Sequence, residues 1–135
     1  MRAIVVDDEP IMLNSFTRLS SGIQDLQVVG QFQIPEDALS YALENPVDLA
    51  FLDVKMPGMN GIELAGKLRE HKPDILIVFI SAYDEYIRDS NRIGGDYYIV
   101  KPYKTETLEI AMEKIRLLAR RQKKTYNNKQ EIQIS

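Results

Sequence analysis

The stretch VDLAFLDVKMPGMNG, residues 47–61, constrains the fold of this chain more than any other. An apolar run of Leu49, Ala50, Phe51 and Leu52 shows no polar alternation and ends on a carboxylate, Asp53. A Met-Pro-Gly turn follows at residues 56–58. A continuous apolar run bounded by turn signals predicts a strand buried on both faces of a parallel sheet. Open parallel sheets bind their ligands in the crevice at the carboxyl ends of the strands. Asp53 stands at such an end.

The rest of the chain alternates in the same manner. Residues 2–6 form a β-branched run closed by Asp7 and Asp8, and Glu9-Pro10 opens a helix, with Pro where its missing N–H costs nothing. Ile11, Met12, Ser15, Phe16 and Leu19 recur at helical spacing. Residues 26–32 read as a second strand. Pro35 starts a helix whose apolar side holds Ala38, Leu39, Ala42 and Leu43, and Asn45-Pro46 ends it. A helix over residues 61–71 follows the central strand, and residues 75–80 form a fourth strand ending at Ser81-Ala82. Residues 84–93 carry a thin apolar stripe and are expected to be helical. Residues 97–100 form a fifth strand closed by Lys101-Pro102. In the last helix Leu108, Ala111, Met112, Ile115, Leu118 and Ala119 fall on one face. Strand–helix alternation with right-handed crossovers predicts an α/β, doubly wound, five-stranded parallel sheet with helices on both faces.

At 135 residues, 44% of them hydrophobic, the chain has the length of one domain with a single proper core. It contains no cysteine, so neither a disulfide framework nor a thiolate metal site is available. The early acids Asp7-Asp8-Glu9 exclude a signal peptide, and no apolar run is long enough to span a bilayer, so a cytoplasmic protein without membrane contact is expected. Charge is unevenly spread. Residues 1–119 hold 12 Lys/Arg against 19 Asp/Glu, whereas residues 120–129 carry 5 basic side chains and no acid. The acidic body does not attract nucleic acid. The basic run has two explanations: cations complementing a helix C-terminus, or a polyanion contact.

At the strand ends the sequence places Asp7 and Asp8 (first strand), Asp53 (third), Ser81 (fourth) and Lys101 (fifth), all on one edge of a parallel sheet. Each has an ordinary explanation: Asp8 as a helix N-cap, Ser81 as a turn residue, Lys101-Pro102 as a loop. Together they define a chemistry. Crowded carboxylates raise one another's pKa unless a cation neutralises them, and an oxygen-only donor set suits Mg²⁺. Such a cation and Lys101 would hold a phosphoryl group while Asp53 serves as nucleophile.

Across residues 1–120 the chain resembles the receiver domains of two-component response regulators. VDDEP resembles their acidic pair, FLDVKMPGMNG the phosphoacceptor strand and loop, ISA the switch hydroxyl, and GGDYYIVKPY the Lys-Pro segment. The resemblance implies a flavodoxin-like, chemotaxis-receiver-like fold with strand order 2-1-3-4-5. It implies that Asp53 accepts a phosphoryl group from a sensor histidine kinase, and that Asp8, Asp53 and the main-chain carbonyl of Lys55 bind Mg²⁺, with Asp7 acting through water. It further implies that Lys101 pairs with the phosphate and precedes a cis peptide, and that Ser81 and Tyr98 form a packing switch. Tyr97 is the competing aromatic, on the opposite face by alternation. The protein would then be a signalling domain that catalyses only its own phosphorylation and dephosphorylation.

Lys55 and Tyr83 stand where water reaches the phosphate, and a bulky Tyr83 is expected to slow hydrolysis. His71, beside Lys72-Pro73, is expected to face solvent, without a phosphodonor role. Residues 84–120 form the expected surface for signalling and for pairing of two copies. Residues 121–135 read as a polar helix tail fading into a linker, with residues 131–134 alternating as a strand would. They lead either to an output domain lying beyond this chain, through which alone nucleic acid would be contacted, or to a frayed terminus. Two other functions compete. A Mg²⁺-dependent phosphohydrolase of the haloacid dehalogenase type needs an acid two residues after its nucleophile, where Lys55 stands. An unphosphorylated pseudo-receiver acting as a binding module would lack site residues that are all present here.

Overall fold

The computed structural model describes residues 1–82 and 94–134, with side chains described through residue 129. The elements in chain order are β1 (Arg2–Val6), α1 (Pro10–Ser20), β2 (Gln27–Phe32), α2 (Pro35–Glu44), β3 (Leu49–Asp53), α3 (Gly61–His71), β4 (Leu76–Ser81), β5 (Tyr97–Val100) and α4 (Thr105–Ile134). The five strands form one parallel sheet in the order β2-β1-β3-β4-β5, as expected. The helix expected over residues 84–93 lies outside the described residues.

The apolar runs explain which strands are central. Every residue of β3 and β4 is buried, whereas β2, at the sheet edge, is nowhere fully buried. Strand alternation separates two cores. On one face Val5, Phe51, Val78 and Ile99 meet α1 and α4, and Phe16 packs on Phe51 with ring centroids 4.7 Å apart. On the other face Ile4, Leu52, Ile77 and Phe79 meet Ala38 of α2 and Leu64 and Leu68 of α3.

The helices begin and end for local reasons. Pro10 and Pro35 occupy first-turn positions of α1 and α2. Asn60 caps α3, its side chain accepting from Glu63 N at 2.8 Å. Gly58 has φ +75°, a conformation that favours glycine. Gly61 matters for a different reason: a Cβ there would lie 2.1 Å from the Asp53 carbonyl oxygen. The start of α3 is thereby pressed against the end of β3, and Gly61 N donates to Val54 O at 2.9 Å. Gly61→Ala must push backbone from backbone. A loss of about 1–3 kcal/mol is expected in urea denaturation, and a stability equal to wild type would show that the loop relaxes freely.

Three expectations need correction. Ile11 and Leu43, assigned to apolar helix faces, are 66% and 51% exposed, and Leu13 takes the inward place in α1. Residues 131–134 are not a strand, and the tail does not fade after residue 120. α4 continues without interruption to Ile134. Asp8 is not an N-cap, since Glu9 holds that position in α1 and makes no side-chain cap bond.

Candidate functional site

Parallel pairing brings the strand ends to one edge. Val6 of β1 is paired with Leu52 of β3, so Asp7 and Asp53 follow side by side. Ser81 is paired with Val100, which sets Lys101 one step beyond, and Lys101 N donates to Ser81 O at 2.8 Å. Lys101-Pro102 is cis, as the resemblance implies.

Asp7, Asp8 and Asp53 each present a carboxylate oxygen such that the three atoms lie within 4.8 Å of one another. Asp7 and Asp53 are buried, and Asp8 is half-buried. The Lys101 Nζ lies 2.8 Å from Asp7 Oδ2 and 3.6 Å from Asp53 Oδ1. Asp7 Oδ1 also accepts from Glu9 N at 3.0 Å. The lysine is therefore bound chiefly to Asp7 and leans toward Asp53.

The electrostatics follow from this crowding. Burial, followed by the charges of Asp7 and Asp8, raises the Asp53 carboxyl to about 7, against the opposing pull of Lys101. Burial acts to lower the Lys101 ammonium, but the hydrogen bond to Asp7 and the charge of Asp53 leave it raised overall. One cation does not neutralise three carboxylates. A hard divalent ion would relieve the remaining repulsion, and the all-oxygen donor set fits Mg²⁺.

Ser81 is fully buried at the end of β4. Tyr98 pairs across the ladder with Phe79, their rings 6.2 Å apart, and packs on the α3 side of the sheet. Ser81, two residues beyond Phe79, shares that face by alternation. Tyr97 packs on the opposite face, beside α4. Lys55 and His71 are exposed, and Tyr83 lies outside the described residues.

Two contributors were missed in the sequence. Tyr103 packs on the α4 side, and burial, reinforced by the charge of Asp7, pushes its phenol up to about 12. It lay in plain view as the aromatic after Lys101-Pro102. Asp96 accepts from Ile77 N at 2.8 Å and from Arg69 at 3.1 Å, fixing the approach to β5 from below. The Gly94-Gly95 pair before it was its only signal.

A five-stranded doubly wound sheet with an acidic cluster and a lysine at its carboxyl edge fits a phosphoryl-handling domain. Residues 3–113 match the response regulator receiver domain, and the chain belongs to that family, the receivers of two-component phosphorelays. Among curated proteins it is 33% identical over 116 residues to the transcriptional regulatory protein LytR of Staphylococcus aureus (strain N315), covering 86% of this chain and 47% of LytR. The chain thus spans about half the length of the curated relatives it matches. The REC domain of the response regulator AraT from Geobacillus stearothermophilus has a TM-score of 0.77 and 29% identity, over 90% of this chain and 97% of that one. The response regulator TrrA of Thermotoga maritima, solved in complex with Mg²⁺–BeF, has a TM-score of 0.74 and 31% identity, over 84% and 97%. No helix among the described residues is long and apolar enough to cross a membrane.

Proposed function

We propose that Asp53 is the phosphoacceptor of this receiver. The observation that carries the proposal is the convergence of Asp7, Asp8 and Asp53 within 4.8 Å, with the Lys101 ammonium 3.6 Å from Asp53. An ionised Asp53 oxygen attacks the phosphorus of a phosphohistidine on a partner kinase. The new O–P bond forms as the P–N bond breaks, and the electron pair leaves with the imidazole nitrogen. Lys101 stays protonated throughout and turns from Asp7 toward the incoming phosphoryl oxygens. Ser81 donates its hydroxyl to the same group. Mg²⁺, when bound, supplies charge neutralisation among the carboxylates. Asp8, Asp53 and the Lys55 main-chain carbonyl are its proposed ligands, with Asp7 acting through water.

The consequence is a packing switch. As Ser81 moves toward the phosphate, the space it leaves on the α3 face is filled by Tyr98, which is supported by their shared face. The output is transcription, through an output domain beyond residues 1–120, consistent with the description of LytR. Exposed Ile110 and Leu117, two turns apart on α4, support pairing of two copies through the α4 part of the expected 84–120 surface, of which residues 84–93 lie outside the described residues. A haloacid dehalogenase-type hydrolase is disfavoured because the acid it requires is replaced by the exposed Lys55.

Incubation with acetyl phosphate and Mg²⁺, followed by intact mass measurement, tests the assignment. The wild-type chain is expected to gain the mass of one phosphoryl group and Asp53→Asn none. Labelling that survives Asp53→Asn, or a wild type that binds Mg²⁺ yet takes up nothing, overturns it.

A further inference from the structure

The basic run of residues 120–129 remains to be explained. Cations complement a helix dipole only in its last turn. α4 continues to Ile134, and its last turn holds no basic residue. The run therefore lies mid-helix, where the dipole gives it no purpose. Residues 120–129 are all exposed, and none of the five cations pairs with an acid among the described residues.

The rotation of this segment is fixed. Gln122 Nε2 donates to Asp74 O at 3.0 Å. Ala119, Gln122 and Tyr126 line one wall of a groove of about 680 Å³ at the amino edge of the sheet, opposite Pro73 and Ile75. At 3.6 residues per turn, Arg120 and Lys124 then point roughly away from the body, and Asn127 continues their line. Lys123 lines the same groove as Gln122, and Arg121 and Lys129 line a second, neighbouring one, at the sides of this outward line. Leu117, exposed on the same helix face one heptad before Lys124, ends the apolar part of that line, and from Arg120 onward the stripe offers only hydrogen-bond donors and positive charge.

We propose that this stripe is a contact for the phosphate backbone of duplex DNA. Such contacts position a protein without reading sequence. The body of residues 1–119, with 12 Lys/Arg against 19 Asp/Glu, repels the same polyanion and confines the contact to the projecting helix. The inference does not depend on the chemistry of Asp53.

Fluorescence anisotropy of the 135-residue chain with a short labelled duplex of arbitrary sequence tests it. About three phosphate contacts predict that each doubling of salt weakens binding about sixfold. Combined Arg120→Glu and Lys124→Glu are expected to abolish binding, with circular dichroism unchanged. Lys67→Glu, an exposed body lysine, is expected to leave it intact. Absence of binding at low salt, equal loss from Lys67→Glu, or retention of binding by the double variant overturns the proposal. So does a dimer, formed without DNA, that the two Glu substitutions dissociate, because the stripe would then face a second copy.

Discussion

Asp53→Asn will stabilise the metal-free protein at pH 8 by about 2–4 kcal/mol, although it removes the central residue of the site. The native carboxyl is raised from 3.8 to about 7, first by burial and then by its acidic neighbours. Between those values the native state holds a proton that the unfolded chain has released, so stability falls as pH rises through this window. Above pH 7 the whole penalty is present, with a ceiling of about 4 kcal/mol for this shift. Asparagine carries no charge to bury and escapes it. Urea unfolding across pH is the measurement: the gain should be near zero at pH 4 and largest at pH 8. Saturating Mg²⁺ should then close the gap by stabilising the wild type more. A gain independent of pH would mean that the crowding of carboxylates is not what strains the site.

Lys101→Met should have the second large effect, in two separable ways. The ammonium is the counter-charge to buried Asp7, at 2.8 Å, and to Asp53. Its removal is expected to cost about 3 kcal/mol at pH 8. The loss should shrink at pH 5, where the Asp53 carboxyl, raised to about 7, is already protonated and needs no counter-charge. Under the proposed function, phosphoryl uptake from acetyl phosphate should slow by about 10²–10³-fold, the usual effect of deleting one donor to a transferring group. Time-resolved intact mass gives the rate. Uptake at the wild-type rate would confine Lys101 to a structural role.

Much of this was legible in the residues themselves. β3 and β4 could be read because a strand buried on both faces has no polar alternation to obscure it, and their ends located Asp53 and Ser81. Asp7, Asp8 and Lys101 followed once the strands were taken as parallel. Periodicity was less informative about orientation. Helical spacing identified α1 and α2 but not which side faces inward, so Ile11 and Leu43 were misassigned. The preference of Lys101 for Asp7 over Asp53 depends on tenths of an ångström across elements distant in sequence, which no spacing encodes. The strand assigned to residues 131–134 failed because alternation over four residues competes with a helix already nucleated and anchored, and propagation is easier than a new start.

The uninterrupted α4 has a mechanical meaning. Its root is tied to the body by Leu108, Met112 and Ile115 in the core, by Thr105 to Leu19 O, and by Arg116 to Asp25. A rod of 30 residues is about 45 Å long. Beyond Gln122, which is still tied to Asp74, about 18 Å of that rod remains, and a tilt of about 10° there sweeps the far end by about 3 Å. A rearrangement of a few tenths of an ångström beside β5 can thus be geared up into displacement at a distance, without any messenger passing through the sheet.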